Sequence, residues 1–319
     1  MSSIAVSLAF SAARHERTSF TRDAAREGRQ SIVPHVSTLR IATLNVWNKS
    51  GPWPERLEMI RSELSRLQPV ILGLQEVLRF APNGLDAFDA RPEHCQALQI
   101  ADGSGYEVVF AEASDYSGGL RFGNALLSRW PIRESRTFLL PSVDSGESRA
   151  LLYALVETPY GLLPVFVTHL NWKLHHGSVR LEQVRYIVER IFELAPVQSS
   201  LLPPLLMGDM NADPDSDEMR YLRGLKVLDG KSVYFTDAWL YAGDGSFGAT
   251  FDRNNHFARR AHEPSRRIDY VFVRGPDKLL RGEPIRTELA FARADASGSV
   301  WPSDHFGVVT DLFFEPRSP

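Results

Sequence analysis

Four apolar runs in this chain end on polar groups, and a fifth is preceded by a polar pair. Leu39-Arg40-Ile41-Ala42-Thr43-Leu44-Asn45-Val46 carries Asn45 near its end, and Val70-Ile71-Leu72-Gly73-Leu74-Gln75-Glu76 stops at Glu76. Leu163 to His169 leads to His169 and Asn171, and Leu205-Leu206-Met207-Gly208 leads to Asp209 and Asn211. Asp304 and His305 stand just before the apolar stretch from Gly307 to Phe314. Runs this short read as strands, and the one at 70–76 has the apolar character of a buried central strand. Strand ends in a sheet protein converge on one rim, where loops hold functional groups on a rigid frame. The repeated pattern therefore predicts one polar site built from distant parts of the chain.

Further strands are expected at Tyr106 to Ala111, Asn124 to Ser128, Ala150 to Glu157 and Ile268 to Val273. Pro54 opens a helix at the favoured first position, Leu57, Ile60, Leu64 and Leu67 continue it, and Pro69 stops it. A second helix fits Ser178 to Leu194, with Val184, Ile187, Ile191 and Leu194 on one face. Strands dominate, with a few long helices between them. This pattern predicts an α+β fold: a four-layer α/β sandwich of two packed, mostly antiparallel β-sheets flanked by helices. A chain of 319 residues, 43% hydrophobic, suffices for one large core. The catalytic domain is expected over residues 37–319. Residues 1–36 are rich in Arg, Ser and Ala without a sustained period and read as a poorly ordered extension. The apolar stretch Ile4 to Phe10 is short and has no Lys or Arg before it, unlike a secretory signal. No stretch approaches the ~18 apolar residues of a membrane span. The expectation is a cytoplasmic monomer, with export left open. Cys95 is the sole cysteine, so no disulfide can form within the chain.

The formal net charge of −3 gives no support to a polyanionic partner. The chemistry must come from carboxylates, carboxamides and imidazoles. Such oxygen-rich sets suit hard Mg²⁺, or Mn²⁺, better than zinc. No HExxH helix, no phosphate-binding GxxxxGK[ST] loop, no convincing GxGxxG after a strand and no serine nucleophile elbow is present. Asp209-Met210-Asn211-Ala212-Asp213 opens like a calcium loop, but Pro214 and Arg220 fall where Gly and a bidentate Glu are needed.

Seven segments, in order, resemble the endonuclease/exonuclease/phosphatase superfamily. They are Thr43-Leu44-Asn45, Leu74-Gln75-Glu76-Val77, Gly123 to Ser128, Thr168-His169-Leu170-Asn171, Gly208-Asp209-Met210-Asn211, Arg267-Ile268-Asp269-Tyr270 and Ser303-Asp304-His305. The resemblance spans about residues 37–315 and implies a metal-dependent hydrolase of phosphate esters, acting by in-line attack of water. It implies Glu76 as the principal metal ligand, supported by Asn45 through its carboxamide oxygen and by Asp304. Asp209 and Asn211 resemble the pair that orients water and binds phosphate oxygens. His305 resembles the catalytic histidine, as base or as charge stabiliser, with Asp269 fixing its tautomer. His169 matches a second phosphate-facing position, where a charged imidazole would meet developing charge, and Asn171 follows as a phosphate contact.

Arg149 could also contact phosphate. Thr250 and Asn254 lie in a Gly- and Asn-rich loop that carries substrate contacts in relatives. Trp47, Trp172, His175 and His176 could line the mouth or simply pack. A small-molecule ester, a nucleic acid and a lipid headgroup are all left open as substrate. A nuclease or DNA-end-processing phosphodiesterase, a sphingomyelinase-like enzyme at a membrane surface and a catalytically silent binding module are the alternatives. The silent module is disfavoured because Glu76, Asp209 and His305 are all present.

Overall fold

The apolar run from Leu39 forms β1 (Thr38–Asn45), and α1 (Trp53–Leu67) then carries the chain to β2 (Ile71–Phe80). These belong to a computed structural model that describes residues 38–80, 91–197 and 200–314. The expected extension, residues 1–36, lies outside the described residues. Next come α2 (Gln96–Ala101), β3 (Glu107–Tyr116), β4 (Leu120–Ser128), β5 (Ile132–Leu139), β6 (Ala150–Thr158) and β7 (Gly161–His169). Helix α3 (Gly177–Leu194) leads to β8 (Leu205–Asp209), followed by α4 (Asp217–Leu222), β9 (Thr236–Asp237), α5 (Ala238–Ala242) and α6 (His256–Arg259). The last strands are β10 (Asp269–Val273), β11 (Pro284–Ala290) and β12 (Gly307–Phe313).

The strands form two six-stranded sheets, ordered β11-β12-β1-β2-β4-β3 and β5-β6-β7-β8-β10-β9. The β1–β2 pair is parallel, and so is the β7–β8 pair. The remaining named pairs are antiparallel. A parallel pair needs a crossover, and α1 and α3 supply one for each sheet. The expected four-layer architecture of mostly antiparallel sheets holds, with one parallel pair in each sheet.

Side-chain alternation explains the layers. Ile41, Ile71, Val165, Val167, Leu205, Met207 and Val271 join one buried cluster between the sheets. Their neighbours Leu44, Leu72 and Leu74 face outward, against Ile60 and Leu64 of α1. Phe166, Leu206 and Phe272 face Val184, Ile187 and Ile191 of α3 in the same way. Strands covered on both faces read as unbroken apolar runs for this reason. Among the described residues no helix is long and apolar enough to cross a membrane.

Candidate active site

Sheet register brings the polar strand ends together. His169 at the end of β7 is the Cα partner of Asp209 at the end of β8, and Asp209 is the partner of Asp269 at the start of β10. Gly208 makes the β8 end possible. Its φ is +138°, and a Cβ there would stand 1.9 Å from the Thr168 carbonyl oxygen. In the other sheet, Asn45 ends β1 beside Gln75. The register between β2 and β4 shifts between Leu74 and Val77, and Glu76 takes a left-handed φ of +58°. A bulge of this kind re-aims one side chain, here toward the rim. Asn211 is also left-handed, at φ +49°. Each such residue costs about 1–2 kcal/mol, which the surrounding structure must offset.

Asp209 lies at the centre and is 1% exposed. Its Oδ1 accepts from the Asn211 backbone N–H at 2.9 Å, and its Oδ2 accepts from Asn45 Nδ2 at 2.9 Å. Burial, then the Asp269 carboxylate, pushes its carboxyl up to about 6. His305 Nδ1 is 2.9 Å from Asp269 Oδ2, and its Nε2 is 3.8 Å from Asp209 Oδ2. Burial opposes charge on His305, but Asp269, Asp209 and Asp304 together outweigh it and hold the imidazole well above its ordinary value. Asp304 is pushed up to about 7 by burial and by Glu76, against the pull of His305 and Arg56.

His169 behaves in the opposite way. It is 3% exposed, and burial, the Arg149 guanidinium and His305 hold its imidazole well below the ordinary value. Its Nδ1 is 2.9 Å from Arg149 Nη1, and its Nε2 is 3.4 Å from Asp209 Oδ2. The charged His169 expected from the resemblance is therefore corrected to a neutral one.

Other expectations change as well. Asn171 is fully buried, with its Nδ2 donating to Glu147 and its Oδ1 accepting from the Lys173 N–H, so it braces a loop instead of facing phosphate. Thr250 is also fully buried. Its Oγ1 accepts from the backbone N–H groups of Ile268 and Asp269, both at 3.1 Å, so it holds β10 in place. Arg149 is 7% exposed and engaged with His169 and Glu147. Asn254 is exposed at a turn where its N–H donates to Asp252. Asn45 turns its Nδ2 to Glu76 and Asp209, while its oxygen accepts from the Trp47 N–H. Asn211 uses its own Nδ2 on the Leu170 carbonyl. Trp47 packs on Phe257 with ring centroids 4.9 Å apart, whereas Trp172 is 53% exposed.

Several supporting residues were not anticipated. Asn48 donates to Glu76 Oε2 at 3.0 Å. Arg56 is fully buried and donates to the carbonyls of Val46, Ser50 and Pro302, tying the loop after β1 to the loop that carries Asp304. Ser303 Oγ donates to the Asn45 carbonyl and accepts from the His305 N–H. Only the helical phase of Arg56, between Trp53 and Ile60 on the buried face of α1, could have marked it in the sequence.

The site carries an excess of oxygen donors. Asp209, Asp269 and His305 offer ligand atoms that all lie within 4.8 Å of one another. Asp269 Oδ1 is buried without a hydrogen-bond partner. Asp304, pushed up to about 7 by burial and by Glu76, is a carboxyl that a hard divalent cation would relieve.

The fold and the sequence both have relatives. An endonuclease/exonuclease/phosphatase from Beutenbergia cavernae is 24% identical, with a TM-score of 0.63 over 87% of this chain and 72% of that one. Truncated TDP2 from Caenorhabditis elegans is 19% identical, with a TM-score of 0.64 over 86% and 98%. D. rerio TDP2, solved with a single-strand DNA product, is 21% identical, with a TM-score of 0.64 over 86% and 99%. No curated protein matches the sequence. The profile of the Endonuclease/Exonuclease/phosphatase family, whose members hydrolyse phosphoesters and typically use a divalent metal, matches residues 42–305. That span runs from the middle of β1 to His305 and holds every strand end of the polar rim; the chain belongs to the endonuclease/exonuclease/phosphatase family.

Proposed function

We propose that this protein is a divalent-metal-dependent hydrolase of phosphate esters, with Asp209 activating the attacking water. The observation that carries it is the buried Asp209 carboxylate, set between Asn45, His169 and His305. Above about pH 6 this carboxylate is ionised and can align a water and take its proton. His305 is held as a cation by its carboxylates, so its part is to meet charge growing on the phosphoryl oxygens. Asp269 fixes the His305 ring through Nδ1. This division of labour favours charge stabilisation over base catalysis for His305.

Glu76 and Asp304 are the residues assigned to hold Mg²⁺ or Mn²⁺, and Asn45 orients Glu76 by donating to it. The alternative set, Asp209 with Asp269 and His305, is less suited, because His305 Nδ1 is committed to Asp269 and its ring is held protonated. When bound, the cation supplies Lewis acidity at the phosphate oxygens. The test is hydrolysis of a panel of esters, from bis-p-nitrophenyl phosphate and cyclic nucleotides to inositol phosphates, sphingomyelin, single-stranded DNA and 5′-tyrosyl DNA. At least one substrate turns over with Mg²⁺ or Mn²⁺, EDTA stops it, and added metal restores it. Hydrolysis that ignores EDTA, or none on any substrate, contradicts the proposal.

A nucleic-acid substrate is favoured by one local feature. Residues 253–262 contain Arg253, Arg259 and Arg260, all exposed, and no acidic residue. Arg260 lies over the Phe257 ring, Phe257 packs on Trp47, and Asn255 Nδ2 donates to the Ser303 carbonyl. A basic lip with aromatic support, tethered to the loop before Asp304, suits a strand of phosphates despite the chain's net charge. The D. rerio structure with a single-strand DNA product is consistent with that reading.

A further inference from the structure

We propose that Arg149 is a positioning residue that locks His169 as the neutral tautomer with its proton on Nε2, aimed at Asp209. The proposal rests on the hydrolase reading for its effect on rate, but the tautomer can be read without turnover.

The donor inventory carries the inference. A guanidinium has N–H donors and no acceptor. Arg149 Nη1 stands 2.9 Å from His169 Nδ1, so Nδ1 must accept. A neutral ring then carries its proton on Nε2, which lies 3.4 Å from Asp209 Oδ2. In the other tautomer the Nε2 lone pair would face that carboxylate oxygen and repel it.

The rest of the fold holds Arg149 to this task. The antiparallel β6–β7 ladder pairs Leu151 with Thr168, which sets the residues before β6 beside the end of β7. Arg149 Nη2 donates to Glu147 Oε2, and the same oxygen accepts from Asn171 Nδ2 at 3.0 Å. The guanidinium lies 5.8 Å from the Phe122 ring centroid, and that ring is 6.3 Å from the His169 ring. A line of contacts thus runs from Asn171 through the half-buried Glu147 to Arg149, His169 and Asp209. It keeps the Nε2 proton on the side nearest Asp209 Oδ2, 3.4 Å away, while adding no second imidazolium next to His305. Holding the carboxylate in one orientation is how this chain acts on the reaction.

The test combines imidazole ¹⁵N NMR with kinetics. In the wild type at neutral pH, the His169 signals report a proton on Nε2 and none on Nδ1. Arg149→Lys, which keeps a donor at Nδ1, retains that pattern. Arg149→Met shifts it toward Nδ1–H and lowers kcat by about 10²-fold with little change in KM, the size expected when a positioning contact is lost. In a His169→Gln background, whose amide can donate without a tautomer choice, Arg149→Met adds less than about threefold. A wild-type His169 that is charged or protonated on Nδ1 overturns the proposal, even if Arg149→Met fails to fold. An Arg149→Met effect that appears in KM, and equally in both backgrounds, also overturns it, because it would mark direct contact with substrate. An inactive wild type with the Nε2–H signature would sink the hydrolase reading alone.

Discussion

Asp209→Asn yields a folded protein whose kcat is about 10³-fold lower, within the usual range for loss of a positioned general base. The substitution keeps the side chain's shape and can still accept from the Asn211 N–H. It removes the acceptor for the water's proton. It also takes away one of the carboxylates that hold His305 charged. Wild-type kcat/KM falls as pH drops through about 6, where Asp209 takes up a proton, and that acid limb disappears in the variant. The fold should tolerate the change. Because the folded carboxyl sits above its unfolded value, its stabilising contribution is present at low pH and lost as pH rises through about 6. A neutral amide avoids that loss but turns its Nδ2 toward the Asn45 Nδ2 donor, so a thermal melt at pH ~8 first establishes that the variant is folded. A variant within tenfold of wild type, or one that keeps the acid limb, contradicts the role given to Asp209.

The second large effect concerns Glu76. The Asp304 carboxyl is raised to about 7 by burial and by Glu76, so the folded protein holds a proton there that the unfolded chain has lost. Stability from this source is lost as pH rises through about 7. In EDTA the wild type therefore melts lower at pH ~8 than at pH ~6. Millimolar Mg²⁺ or Mn²⁺ reverses the loss by binding the native state only. Glu76→Gln abolishes this metal-induced rise and lowers activity by at least ~10²-fold, because the cation's share of charge stabilisation goes with it. Thermal melts with and without metal check both parts. An unchanged metal-induced rise in Glu76→Gln would assign the cation elsewhere, to Asp209 and Asp269 first.

Much of this site was legible because strand ends and chemistry coincide. Asn45, His169, Asp209 and Asp269 sit at strand ends, whereas Glu76 sits at a bulge inside β2, which runs on to Phe80 instead of stopping there, and the structure gathers all five. Helices α1 and α3 were equally clear, since their apolar positions recur at helical spacing and prolines bracket the first. The edge strand β3 was expected from Tyr106 to Ala111, but two other edge strands were not visible. Strand β5 reads Ile-Arg-Glu-Ser-Arg-Thr-Phe-Leu, lies at a sheet edge, and is mostly exposed. Strand β11 holds the corresponding edge of the other sheet. Edge strands need no continuous apolar run, so periodicity passes over them. Individual polar roles were also hidden. Asn171 and Thr250 look like substrate contacts in a motif, but only coordinates show that their hydrogen bonds are spent inside the protein. The lowered basicity of His169 comes first from burial and then from Arg149, twenty positions away and brought near by β6–β7 pairing.

The most direct test compares wild type with His305→Ala on bis-p-nitrophenyl phosphate, or the best ester of the panel, with Mg²⁺ and again with EDTA. The expected result is metal-dependent release of product by the wild type, at least ~100-fold slower in His305→Ala, and none above background in EDTA. Equal rates for the two proteins, or wild-type hydrolysis that survives EDTA, would contradict a metal-dependent phosphoesterase working through this site.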